Sequence, residues 1–293
     1  VALGQRRSGF VLGSGRASMN PHATASASPV GAVRSLWTNR QLIARMGQRE
    51  IIGRYKGSAM GLAWSFITPL FMLAIYTFVF SVVFQARWGT SEESKTQFAV
   101  VLFAGLIVHT LFSDVINRAP QLVLGNVNYV KKVVFPLEIL PVVQLLSATF
   151  HALVSVVVLI AAQLVFQGSL PITALLLPVV LLPFLLLTLG LAWWLASLGV
   201  FVRDVGQTIS LVTSVMLFMS PVFFPVQSLP PALQPWMHLN PLTFVIEQVR
   251  EVVVWGRLPD WQGLAVYSLA SIATAWLGFA WFQKTRKGFA DVL

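Results

Sequence analysis

No cysteine occurs in these 293 residues, which excludes disulfide bridges and thiolate metal sites. Charge is scarce as well: Asp, Glu, Lys and Arg make up 10% of the chain, where a soluble domain carries about a quarter. So little polar surface cannot clothe a globule, and the medium around this chain is therefore largely lipid. Phosphate-cradling chemistry is missing too, since no G-x-x-x-x-G-K-[ST] is present and Gly13-Ser14-Gly15 is flanked by neither strand nor helix. Neither G-x-S-x-G nor H-E-x-x-H appears, so the usual hydrolase signatures are absent.

What is present is apolar, at 56% of the residues and a mean hydropathy of +0.77. A crossing helix needs about 20 such residues. Residues 62–84 carry no charge and form the first predicted span; 96–116 form the second, with Asp114 near its end. From 139 to 202 no charge occurs, which is too long for one crossing. The turn chemistry of Gln167-Gly168-Ser169-Leu170-Pro171 divides that run into spans at 140–166 and 172–201. A fifth span is predicted at 208–225, ending where Pro221 and Pro225 accumulate, and a sixth at 261–282. Residues 1–33 are rich in Gly, Ser, Ala and Arg and read as a flexible tail, without the apolar stretch of a cleaved signal peptide.

The charges test this division. Of the 20 Lys and Arg, only Arg87, Lys95, Arg250 and Arg257 fall on one side of the six-span layout. Cytoplasmic loops collect Lys and Arg, so both termini are expected in the cytoplasm. The net charge of +10 is thereby accounted for by membrane orientation, and nucleic acid is not an expected partner.

Three segments are too polar or too short to cross. In 38–55, with Thr38 read as its cap, Leu42, Ile43 and Met46 share one arc while Arg45 and Arg49 lie outside it; Glu50 and Arg40 intrude on the apolar side. This reads either as a helix in the cytoplasmic interface with its basic face near anionic headgroups or as a solvated juxtamembrane helix. In 118–136, Pro120 suits a first helical position. The run Asn126-Val127-Asn128-Tyr129-Val130-Lys131-Lys132 follows, either a docking surface for a soluble partner or a plain cytoplasmic anchor. Beyond span five, Pro225, Pro230, Pro231, Pro235 and Pro241 break the chain, and a helix opened by Asn240-Pro241 and stopped by Gly256 carries Glu247, Arg250 and Glu251. It fits a segment that dips into the outer leaflet and returns, or a structural cap.

His109 and His151 stand alone within spans two and three, Asp114 and Arg118 are spaced to pair across one turn, and Arg203-Asp204 marks the inner end of span four. Buried charges of the kind found in ion-coupled pumps are lacking, so uphill transport would draw its energy from another subunit. Aromatic side chains are abundant: Trp64, Tyr76 and Phe80 in span one, Phe218, Phe223 and Phe224 in span five. Such rings suit the C–H faces of sugars, or face lipid as an interfacial belt.

Several stretches, in this order, resemble the membrane subunits of ABC-2 type exporters of bacterial surface polysaccharides, which serve O-antigen, capsule or teichoic acid. They are Arg54-Tyr55-Lys56-Gly57-Ser58 with Gly61, Trp64 and Pro69-Leu70; Asn126 through Lys132 with Phe135-Pro136 and Leu140-Pro141; Arg203-Asp204; Ser220-Pro221-Val222-Phe223-Phe224; and Asn240-Pro241-Leu242. The resemblance covers residues 34–293. It implies an all-α membrane fold of six transmembrane helices at 59–293, preceded by an amphipathic interface helix at 34–58. Two copies would form a homodimeric passage in the bacterial inner membrane, with two ATPase subunits beneath that use ATP and magnesium; this chain itself would bind no cofactor and would not be an enzyme. The interface helix would present Arg45, Arg49, Arg54, Tyr55 and Lys56 to the membrane lipids. A coupling helix would use Asn126, Asn128, Tyr129, Lys131 and Lys132. Trp64, Tyr76, Phe80, Phe218, Phe223 and Phe224 would line the route of a lipid-linked polysaccharide, and Pro241, Glu247 and Arg250 would belong to short re-entrant gate helices between spans five and six. The same architecture moving a small hydrophobic compound is the alternative; an intramembrane transferase is a remote one, because the acidic and histidine groups it needs are isolated here.

Overall fold

The computed structural model describes residues 28–83, 95–131 and 135–293; the tail 1–27 and Lys132 lie outside the described residues. The chain is helical, with no strand among the described residues. Two short helices open it: α1 (Pro29–Thr38) and α2 (Arg40–Gly53). Ser28 caps α1 by accepting from the Gly31 amide at 3.0 Å, so order begins inside the segment read as tail. Thr38 closes α1 rather than opening α2, and Asn39 bends the chain between them.

The long helices follow. α3 (Trp64–Tyr76) continues into a π turn at Thr77–Val83, and α4 (Lys95–Arg118) is followed by two short helices, α5 (Gln121–Leu124) and α6 (Val127–Lys131). α7 (Ile139–Gln167) and α8 (Leu177–Phe201) form a hairpin. Its turn is made by Gly168 at φ +72, a left-handed conformation in which its amide reaches the Leu164 carbonyl at 3.0 Å. α9 (Val205–Phe218), α10 (Gln234–His238), α11 (Pro241–Arg250), α12 (Trp261–Thr285) and α13 (Phe289–Val292) complete the chain.

Among the described residues, five helices are long and apolar enough to cross a membrane: Gly61–Phe80, Gln97–Arg118, Ile139–Gln167, Ile172–Phe201 and Trp261–Val292. The predicted fifth span is shorter than expected. α9 has 14 residues, a rise of about 21 Å against about 30 Å of hydrocarbon. It stops before Pro221, where buried Ser220 turns its hydroxyl back to the Met216 carbonyl at 2.6 Å.

α4 is the hub. In its most apolar stretch 83% of residues are buried, against 11% for the first span. Residues 98–104 of α4 are sealed from every side, because α3, α7, α9 and α11 all pack on it. α8 and α12 make the closest pairing of long helices: a Cβ on Gly278 would lie 2.1 Å from the Gly190 carbonyl oxygen. Small residues bring backbones together where lipid gives no hydrophobic drive for association. The first span is the opposite case, leaving Phe66, Leu70, Phe71 and Phe78 exposed.

Candidate transport passage and docking surface

The side chains read as facing headgroups divide in two. Arg45, Arg49 and Lys56 are exposed. Arg54 and Tyr55 turn inward. An Arg54 Nη2 donates to Asp114 Oδ2 at 2.7 Å, while Arg118 meets Asp114 Oδ1 at 3.2 Å and Glu50 Oε1 at 3.4 Å. The pairing of Asp114 with Arg118 was expected; Arg54 and Glu50 joining them explains why Glu50 breaks the apolar arc of α2. That arc, Leu42, Ile43 and Met46, packs into the protein, and Gly47 lets α2 sit against Leu146 of α7, where a Cβ would come within 2.5 Å. The Tyr55 hydroxyl lies 3.3 Å from His151 Nδ1 with the rings edge to face. Burial raises the pKa of the Tyr55 phenol, with the Arg54 charge opposing it. His151, isolated in sequence, thus has a partner from the end of the interface segment.

Above this cluster, α3, α4 and α7 enclose a cavity of about 530 Å³, floored by Arg54, Asp114 and His151 and walled by Met72, Tyr76 and Phe103. Beyond this cavity, the aromatic residues join into a chain. Tyr76 and Phe80 have ring centroids 6.4 Å apart; Phe80 stacks on Phe223 at 5.7 Å, and Phe223 on Phe218 at 5.7 Å. Four of the six predicted passage residues therefore form one continuous strip running from the first span to the end of α9. Phe224 is half-buried beside it. Trp64 stands apart at the start of α3, exposed, its Nε1 donating to Ser58 Oγ at 2.9 Å.

The loop read as a docking surface folds as α5 and α6. Asn126 braces the turn between them by donating from Nδ2 to the Leu122 carbonyl at 2.8 Å. Asn128 is exposed and Lys131 ends α6. Tyr129 is not free-standing: its ring lies parallel to Phe135, with centroids 4.4 Å apart and planes at 12°.

Between α9 and α12, Asn240 Oδ1 accepts from the Leu242 amide at 2.9 Å, Pro241 begins α11, and Gly256 at φ +70 stops the π turn Glu251–Trp255, as the sequence indicated. Tyr267 of α12 donates to the Pro241 carbonyl at 3.0 Å. Glu247, Glu251, Trp255 and Arg257 line a polar cavity of about 440 Å³. Burial pushes the Glu247 carboxyl above its usual range, with His238 and Arg250 opposing the shift. Arg250 borders the same cavity but turns its guanidinium into the protein. It is 3% exposed, and its guanidinium donates to the Val101 carbonyl of α4 at 2.9 Å, to that of Val222 at 2.9 Å, and to that of Pro221. Gly105 makes room, since a Cβ there would lie 2.7 Å from Arg250 Nη2. A cation on an apolar segment was the only sequence signal for this clamp; its three acceptors are backbone atoms, which leave no trace in sequence.

Comparison with known proteins agrees with this architecture. Residues 41–254 match the family model described as ABC-2 type transporter. The O-antigen export system permease protein RfbA of Myxococcus xanthus is 26% identical over 261 residues, spanning 88% of this chain and 98% of that protein. The protein of the same name from Klebsiella pneumoniae is 24% identical over 254 residues, 86% and 95% of the two chains. The capsule polysaccharide export inner-membrane protein CtrC of Neisseria meningitidis is 24% identical over 260 residues, 87% and 94%. With most of its length matched, this chain belongs to the ABC-2 type transporter family.

Proposed function

We propose that the chain is the membrane permease subunit of an ATP-driven exporter that moves a lipid-linked cell-surface polysaccharide across the bacterial inner membrane. The observation that carries this reading is the aromatic strip Tyr76–Phe80–Phe223–Phe218, set beside a first span that is mostly uncovered by the other described residues. A second copy would cover that span, so that two strips line one passage on which sugar rings slide by stacking. α9 with residues 219–225 completes a sixth crossing, and the distribution of basic residues supports both termini in the cytoplasm. α5 and α6 dock on a separate ATPase, present in two copies, which uses ATP and magnesium. α1 and α2 lie in the inner interface, supported by the stacking of Arg40 on Trp37 at 4.9 Å and by exposed Arg45 and Arg49. α10 and α11 gate the outer mouth.

The test is a deletion of the chain from its cell, followed by staining of surface polysaccharide and extraction of the lipid-linked polymer. The proposal expects loss of surface polymer with lipid-linked polymer retained inside. Normal surface polysaccharide in the deletion would refute it.

A further inference from the structure

Glu138, just before α7, is a carboxylate 3% exposed, and a buried charge persists only where donors surround it. Two separate parts of the chain supply them, and a third holds the Glu138 backbone. Ser35 of α1 donates to Oε1 at 2.8 Å, Arg286 to Oε2 at 2.8 Å, and Trp193 of α8 to the Glu138 backbone carbonyl at 2.9 Å. Arg286 uses its second arm on the Phe135 carbonyl at 2.8 Å. Phe135 is the ring on which Tyr129 of α6 is stacked. The C-terminal residues then fold back: Phe289 is fully buried, with its ring 5.4 Å from Phe282, and α13 touches α6.

We propose that Glu138 and Arg286 form a clamp through which the C-terminal turn holds the α5–α6 loop in one position, making Glu138 a positioning residue for energy coupling. This rests on the docking role proposed above for α5 and α6. Force applied to α6 passes through Tyr129 and Phe135 into the clamp, and from there to α7, α8 and α12 together. Without the clamp the same force is spent in bending the loop. A buried ion pair adds little net stability but fixes geometry when every donor is matched, and here each carboxylate oxygen has its own donor.

Because the chain has no cysteine, a spin label can be placed at a single position. The test compares Asn128→Cys on α6 with Leu258→Cys on the exposed outer loop, in the full complex with its ATPase, with and without Glu138→Gln. The expected result is a more mobile label at 128, an unchanged label at 258, and export per ATP hydrolysed reduced about tenfold, within the range for changes along a coupled network. Arg286→Lys, which keeps the charge but cannot span both acceptors, gives an intermediate effect. Unchanged mobility at 128, equal loosening at both labels, or a looser label with undiminished export would each overturn the proposal. Should Glu138→Gln be absent from the membrane, Ser35→Ala and Arg286→Lys carry the same comparison. Failure of the docking role is seen separately, as no disulfide between Asn128→Cys and cysteines placed on the ATPase in the otherwise unaltered complex.

Discussion

Replacing Arg250 by methionine keeps the length and apolar stem of the side chain and removes a guanidinium that donates to the carbonyls of Val101, Pro221 and Val222. Charge-assisted hydrogen bonds contribute about 1.5–3 kcal/mol each in soluble proteins, which would give roughly 5–9 kcal/mol for three. Interhelical hydrogen bonds in membranes are worth less, about 0.6–1.7 kcal/mol each, because the reference state also finds partners. The second range applies better, since Arg250 borders the outer polar cavity and water entering from it partly satisfies the freed carbonyls. We therefore expect a loss of about 3 kcal/mol, seen as a fall of roughly 6–12 °C in the thermal midpoint of the purified protein. Arg250→Lys should fall between the two, because a single ammonium cannot reach three acceptors in fork geometry. A midpoint for Arg250→Met within about 2 °C of the unaltered protein, less than 1 kcal/mol, would refute the clamp.

Removing both rings in Tyr76→Ala with Phe80→Ala should slow export several-fold at unchanged abundance; normal surface polymer would mean that the strip faces lipid. Tyr129→Ala loses a stacked pair worth about 0.5–1.5 kcal/mol and should lower export while the chain stays in the membrane, as measured by fractionation and surface staining. Gly278→Leu drives a side chain into the Gly190 backbone and should deplete the protein from the membrane; full abundance on an immunoblot would contradict the packing. Since the folded pKa of Glu247 is raised, the folded state holds its proton longer than the unfolded chain. Stability should therefore fall as pH rises from the ordinary carboxylate value through the raised one. Glu247→Gln should flatten that dependence in thermal melts taken across pH, and an unaltered slope would contradict it.

The long uncharged runs made five of the spans legible, and Gly168 and Gly256 mark stops whose left-handed backbones favour glycine. Only the first half of α1 was hidden, because residues 29–33 read on from the tail; its second half falls within the helix expected at 34–58. α9 was overestimated because residues 219–225 are as apolar as a span; what ends the helix is the Ser220 turn and Pro221, not a change in hydropathy. The aromatic residues Tyr76, Phe80, Phe218 and Phe223 stand out in the sequence, but their union does not, since Phe80 and Phe223 meet across chain far apart in sequence. The same holds for Arg54 with Asp114 and for Glu138 with Arg286, whose pairing exists only once α2, α4, α7 and α12 have packed.

Single-cysteine accessibility on intact cells tests the membrane arrangement most directly, with Asn128→Cys, Leu258→Cys and Leu293→Cys each exposed to an impermeant maleimide. The account predicts that position 258 reacts from outside, while 128 and 293 react only after the inner membrane is opened. Labelling of 293 from outside with 128 still protected would put the C-terminus on the wrong face, and the six-crossing passage with its inner docking loop would be contradicted.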